Sequence, residues 1–291
     1  MPPLPADALI ASYWTICGGG PGRSSPWSIA ERAAAAARVG YRGIGLRNDD
    51  YVAAREAGVS DADLRQVLAD NGIVVAEIEF VSGWSSDDAE VRARARKVED
   101  DLYALAEALA NAPNVNVGCS EPVEAPAPLE RVVERFAALC DRAAVHGLPV
   151  ALEFMPWTGI PDAATAWEIV SKAGRVNGGV LVDAWHYFRG AADPAQVRAI
   201  PAERIVGLQI NDALAEAVGT LREDTLHRRK LPGEGVFDLT SLVRLLDEMG
   251  VTAPWAVEVI SDDQFALPLD VAARRSFETT LGVLEKARKS I

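Results

Sequence analysis

Histidine and cysteine are scarce here, with three of each in 291 residues. The cysteines, Cys17, Cys119 and Cys140, are odd in number, far apart and outside any CxxC pair. That spacing excludes a disulfide framework and a thiolate metal site, and leaves buried thiols in a reducing compartment. Clustered basic charge is also missing. The net charge is −13 and the arginines are scattered, so a nucleic-acid partner, which needs a basic face for the phosphates, is not expected. No apolar run approaches the roughly 18 residues of a membrane-spanning helix. The opening MPPLPADALI has no basic stretch followed by an apolar one, so it does not read as a secretory signal. The expectation is a soluble, cytoplasmic protein without a membrane partner. A glycine-rich GxGxxG turn is lacking too. GGGPGR at Gly18–Arg23 does not fit that pattern, which weakens the alternative of an open doubly wound sheet.

What is present is ordinary globular composition, 49% apolar and 24% charged, in a strict alternation. A short β-rich run and a polar helical segment repeat every 30–40 residues or so, the pattern of parallel strands joined by crossover helices. Eight strands are expected, at Ala8–Ile16, Gly43–Leu46, Ile73–Phe80, Asn114–Gly118, Pro149–Phe154, Gly179–Asp183, Ile205–Asn211 and Trp255–Ile260. Helices are expected between them, among them Ser28–Val39, Asp61–Asp70, Asp87–Asn111, Pro128–His146 and Asp162–Ala173. Ser28 and Glu31 have capping-box spacing, while Gly72, Gly147 and Gly250 suit helix C-terminal caps. No linker divides the chain, so residues 1–291 read as one (β/α)8 TIM barrel, close to the roughly 250 residues usual for that fold. The longest irregular stretch, Ala213–Gly235, has the length of a functional loop.

Active-site groups of a parallel barrel sit at the C-terminal ends of its strands. The fifth strand ends on Glu153, the sixth on Asp183 followed by His186, the seventh carries Gln209 with Asn211 and Asp212 beyond, and the eighth ends on Glu258. A single such acid is commonly a helix cap or a paired core carboxylate. Four consecutive strands ending this way are a different matter: several unpaired carboxylates in one mouth would repel and resist desolvation, so a shared cation is the economical solution. All four side chains offer oxygen, which favours one divalent Mn²⁺ or Mg²⁺.

Glu77 and Glu79 fall on one side of the third strand, with Glu79 nearer the mouth. Glu79 is a candidate for substrate contact or for structural support. Trp14, Trp84, Trp157 and Trp185 lie near strand ends, where their rings could wall a pocket or pack in the core. His146 sits at a helix end, where a cation suits the dipole.

The segments ALEF, VDAWH, LQIND, LPGEG and AVEV, in that order, resemble the xylose-isomerase-like superfamily of sugar isomerases and epimerases. The resemblance runs from about Ser28 to the C-terminus and is strongest over residues 150–262. It implies metal ligands Glu153, Asp183, Gln209 and Glu258, with Gln209 where many sugar epimerases carry histidine. In that position glutamine is similar to the bacterial 3-dehydroshikimate dehydratases of the superfamily. The resemblance further implies that His186 contacts substrate oxygens and that Arg229, or its neighbour Arg228, binds a substrate oxygen or carboxylate. Trp14, Trp157 and Trp185 complete the candidate substrate contacts.

The implied chemistry is proton abstraction next to a carbonyl through a metal-stabilised enediolate, with Glu153, Glu258 and His186 catalytic and a sugar- or polyol-like molecule as substrate. A metal-dependent isomerase or epimerase is the leading reading. A 3-dehydroshikimate-dehydratase-like lyase and a non-catalytic barrel subunit are the alternatives, and a homo-oligomer is compatible with each. The apurinic-endonuclease branch needs a histidine-rich cluster of three metals, for which three histidines do not suffice.

Overall fold

The computed structural model describes residues 4–5, 7–109, 111 and 113–289. Parallel strands β1 (Leu9–Ala11), β2 (Gly43–Arg47), β3 (Val74–Val81) and β4 (Asn114–Gly118) lie side by side in sequence order. They continue into β5 (Val150–Glu153), β6 (Gly178–Asp183), β7 (Ile205–Ile210) and β8 (Trp255–Val257). Pairing of β1 with β8, Leu9 opposite Trp255 and Ala11 opposite Val257, closes the ring. The result is the expected (β/α)8 barrel.

The helices on its outside and rim begin with α1 (Tyr13–Ile16), α2 (Ile29–Val39), α3 (Asn48–Glu56), α4 (Asp61–Asp70) and α5 (Ala89–Leu109). Next come α6 (Leu129–Val145), α7 (Ala163–Ala173), α8 (Ala184–Arg189) and α9 (Pro194–Arg198). The last are α10 (Leu221–His227), α11 (Leu239–Met249), α12 (Asp262–Phe265) and α13 (Leu269–Lys289). Among the described residues no helix is long and apolar enough to cross a membrane.

Local chemistry sets these boundaries. Ser28 and Glu31 exchange bonds at the start of α2: Ser28 N–H donates to Glu31 Oε2 at 2.8 Å, and Glu31 N–H donates to Ser28 Oγ at 3.2 Å. On α6, Val132, Phe136, Leu139, Cys140 and Ala143 recur at helical spacing and form the buried face. At the end of α11, Gly250 adopts φ 76°, a left-handed cap that a side chain would strain. Gly72 and Gly147 also take positive φ. Strands β5 and β6 are buried at every residue, as strands covered on both faces must be.

Several expected boundaries move. The first strand is only Leu9–Ala11, because the chain turns at Ser12 and Tyr13–Ile16 coil into α1. Trp14 therefore sits on a rim helix rather than on a strand. The eighth strand stops at Val257, which leaves Glu258 just past its end. The third shifts to Val74–Val81, the seventh ends at Ile210, and the long fifth helix is Ala89–Leu109. Nor is Ala213–Gly235 irregular throughout. Thr220 and Glu223 form a capping box that starts α10 inside it.

Candidate active site

Carboxylates gather where the strands end. Glu77, Glu79, Glu153, Asp183 and Glu258 are all buried, and Arg229 is a fully buried guanidinium among them. Arg229 Nη1 donates to Asp183 Oδ2 and to Glu258 Oε2, each at 2.8 Å, while its Nε donates to Thr225 Oγ1 at 3.0 Å. Its Nη2 lies 3.4 Å from His186 Nε2. Arg228, by contrast, points outward to the Val218 carbonyl, so Arg229 is the arginine of the cluster.

Two short bridges hold that arginine in place. The Asp212 and Lys230 backbones exchange N–H···O bonds of 2.9 and 2.7 Å, and Arg229 N–H donates to the Ile260 carbonyl at 3.2 Å. Asp212 does more. Its carboxylate accepts the backbone N–H groups of Gly233, Gly235, Phe237 and Ala213, all within 3.0 Å. A Cβ on Gly235 would lie 2.3 Å from Asp212 Oδ1, so only glycine permits that approach. The PGEG turn is thus anchored from the end of β7.

The expected ligand residues converge on this cluster. Asp183 caps α8 by accepting His186 N–H at 3.0 Å and also accepts Asn211 Nδ2 at 3.0 Å. Glu153 Oε1 lies 3.0 Å from His186 Nε2. Gln209 Nε2 donates to Glu258 Oε1 at 3.2 Å, which leaves the buried Gln209 Oε1 without a partner. Ser12 Oγ donates toward Glu79 Oε1 and Glu258 Oε1, at 3.3 and 3.4 Å. Glu77 accepts Asn116 Nδ2 at 3.2 Å.

Burial governs the proton affinities. It pushes Glu153 up to about 8 with help from the Asp183 charge, and holds Glu258 and Glu79 well above the usual carboxylate range. Glu77 rises to about 7, again through burial. Burial acts on Asp183 in the same sense, but Arg229, His186 and the donated backbone N–H outweigh it and keep this carboxyl below its ordinary value. Desolvation lowers His186 to about 3, so its imidazole is neutral.

The residues present fit a divalent cation. Glu153, Asp183 and His186 each bring one ligand atom within 4.8 Å of the others. Three buried carboxylates, Glu153, Asp183 and Glu258, act on one buried guanidinium, Arg229, and an orphaned amide oxygen on Gln209 adds a further donor. The neutral imidazole of His186 enlarges the all-oxygen set expected from sequence. Glu258 is less free than expected, because one of its oxygens is held by Arg229.

The aromatic residues divide. Trp157 and Trp185 meet His186 edge-on at centroid distances of 5.2 and 5.5 Å and wall one side of the cluster. Trp14 stands on the far side, with the Arg47 guanidinium 5.0 Å from its ring centroid. Trp84 does not face the cluster: it packs on Phe136 and donates to the Gly118 carbonyl at 2.9 Å. Cys17, Cys119 and Cys140 are buried and unbridged. His146 pairs with Glu107 at its helix end. A cavity of about 870 Å³ opens at the opposite end of the barrel beside Val74, Asn114, Ile205 and Pro254, the end that in such barrels serves stability.

Sequence reasoning missed Ser12, Thr225 and Arg47, and it placed Asp212 beyond the seventh strand without assigning its task.

A family model described as xylose isomerase-like TIM barrel matches residues 33–286. The chain belongs to that family. Within it, the 3-dehydroshikimate dehydratase of Pseudomonas aeruginosa is 25% identical over 266 residues, covering 91% of this chain and 41% of that protein. The inosose isomerase of Bacillus subtilis is 26% identical over 156 residues, 53% of this chain and 55% of that protein. The chain spans about two-fifths of the length of the dehydratases it matches. Among solved structures, the IolI protein with a bound zinc atom has a TM-score of 0.85 at 20% identity, over 96% of this chain and 99% of that one. A fusion of a xylose isomerase-like TIM barrel with a 4-hydroxyphenylpyruvate dioxygenase has a TM-score of 0.83 at 21% identity, over 98% of this chain and 44% of that one. At such identities these two likenesses show the fold alone.

Proposed function

We propose that this chain is a divalent-metal-dependent isomerase or epimerase that abstracts a proton beside the carbonyl of a small sugar- or polyol-like molecule. The observation that carries the reading is the pair Glu153 and Glu258, buried carboxyls with raised proton affinity that reach one cluster from the ends of β5 and β8, one beside His186 and the other bonded to Arg229. A carboxyl with raised proton affinity can both take and return a proton, and two such groups at different strand ends suit the two faces of a planar intermediate. Neutral His186 offers a hydrogen bond to a substrate hydroxyl, and Arg229 keeps Asp183 charged and orients Glu258. Trp157 and Trp185 exclude water from that side. Glu153, Asp183, His186 and the Gln209 oxygen would hold the metal, with Glu258 completing the set, and Mn²⁺ or Mg²⁺ suits the predominance of oxygen. When bound, such a cation supplies Lewis-acid stabilisation of the negative charge that develops on the carbonyl oxygen.

Elimination is the second reading, and one observation favours it. The dehydratase relative aligns over 91% of this chain, against 53% for the isomerase. Here the same base would remove the proton, and the neighbouring carbon would lose its hydroxyl as water. Turnover of ketoses, inososes and 3-dehydroshikimate, each with and without Mn²⁺, decides between them. Exchange of a carbon-bound hydrogen with solvent and retention of the hydroxyl supports isomerisation. Formation of an unsaturated product supports elimination. No metal-dependent change in any of the three overturns both.

A further inference from the structure

Three arginines border the strand ends, and two have both terminal nitrogens engaged. Arg229 is committed to Thr225, Asp183, Glu258 and His186. Arg189 gives Nη1 to the Ala215 carbonyl and Nη2 to the Leu214 carbonyl, with Asp224 3.5 Å away. Arg47 is different. Only its Nε is engaged, with Asp49 at 3.1 Å, and both terminal nitrogens lack a hydrogen-bond partner among the described residues.

Arg47 is also held in a fixed position. It is the last residue of β2 and pairs in register with Glu79, so both side chains leave the sheet on the same face. Glu79, one of the clustered carboxylates, shares Ser12 with Glu258, which places the Arg47 position at the border of the cluster. Its guanidinium lies 5.0 Å from the Trp14 ring centroid and 5.5 Å from that of Tyr13. Stacking of this kind fixes the plane of the fork before a ligand arrives. The side chain is 25% exposed, enough for the free edge to meet solvent.

From this geometry we infer that Arg47 is a substrate-recognition residue that pairs with a carboxylate carried by the substrate. The inference rests on the proton-abstraction reading above and narrows its substrate to a polyhydroxylated carbonyl compound that is also an acid. A guanidinium with both terminal nitrogens free matches the two oxygens of a carboxylate in a parallel fork, which an ammonium cannot do. A phosphate would share this chemistry. One free guanidinium beside Asp49, Asp50 and Glu79 offers little to a doubly charged group, so the carboxylate is the better match. Arg229, already shared between two carboxylates, has no comparable edge to offer.

Equilibrium binding to the Mn²⁺-loaded full chain, read by tryptophan fluorescence, tests this with three probes: 3-dehydroshikimate, a neutral inosose and fructose 6-phosphate. Wild type should bind the carboxylate at least about tenfold more tightly than the inosose. Arg47→Gln should weaken carboxylate binding by roughly 10- to 100-fold, as expected for loss of a charge-assisted pair, and so erase the preference. Arg47→Lys, which keeps the charge but not the fork, should fall between them. Melting temperatures of both variants separate lost recognition from lost folding. Inosose and carboxylate binding alike, with Arg47→Gln changing neither, overturns the inference and leaves the proton-abstraction reading standing. Preference for the phosphate also overturns it. Failure of all three probes to bind or react removes the proton-abstraction reading itself.

Discussion

The Nε2 of His186 lies 3.0 Å from Oε1 of Glu153, and burial drives the two groups to neutrality together. The carboxyl is raised to about 8 and the imidazole lowered to about 3, so near pH 7 the proton between them belongs to the carboxyl. A cation needs the ionised carboxylate. Metal uptake at pH 6.5 should therefore release at least about one proton per chain, from Glu153, with Glu258 adding to it where it too binds the ion. Affinity should rise roughly tenfold per pH unit and level off above about 8, because a raised carboxyl stays protonated up to its folded-state value. Calorimetry in buffers of different ionisation enthalpy measures the proton directly. An affinity that ignores pH between 6 and 8 would contradict the pairing.

Glu153→Gln and Asp183→Asn should each lower Mn²⁺ affinity by at least about 100-fold, while the circular dichroism spectrum stays that of the wild type. Full metal occupancy in both variants would put the site elsewhere.

Gln209 offers an oxygen where imidazole would offer nitrogen. Gln209→His should move the ranking of bound metals toward Zn²⁺ and Co²⁺, since imidazole favours them. Competition titrations give the order for both proteins. An unchanged order would take Gln209 out of direct contact with the ion.

Glu258→Gln retains an oxygen and removes the base. With saturating Mn²⁺ and an accepted substrate, wild type should incorporate deuterium from D₂O at the reacting carbon, and the variant should not. Normal exchange in the metal-loaded variant would leave Glu258 without a proton-transfer role.

The anchored turn gives a stability prediction that is independent of substrate. Asp212 accepts four backbone N–H groups in a buried position, so Asp212→Ala should destabilise the fold by about 2–4 kcal/mol. Gly235→Ala, which drives a methyl into the same carboxylate, should cost a comparable amount. Urea unfolding of the two variants checks both, and wild-type midpoints would mean that the turn carries no load.

Much of this architecture was readable from periodicity. Strands β5 to β7 and their polar ends stood out because buried parallel strands are uninterrupted apolar runs, and a charged residue ending one is conspicuous. The rim was harder to read. The run through Ser12 and Tyr13–Ile16 is as apolar and β-branched as a strand, and only the packing of Tyr13 and Ile16 under the mouth turns it into a helix. Arg47 was invisible for a different reason. An arginine beside two aspartates looks like a solvated surface run until Trp14, some thirty residues earlier in the chain, is seen beneath it. Asp212 showed its position but not its task, because its four partners lie on a turn that sequence does not bring near.

The closure of β1 onto β8 has a kinetic consequence. Thr15 Oγ1 donates to the Val257 carbonyl and accepts the Val259 N–H, and Ser12 touches Glu258 across 246 residues of chain. Contacts between the two ends of a sequence are the last to repay their loop-closure entropy. A folding intermediate containing β2 through β7 would thus carry Glu153, Asp183 and Gln209 yet lack the side that Ser12 and Glu258 supply. Recovery of function during refolding should trail recovery of helical signal, with the interval timing the moment the ring shuts.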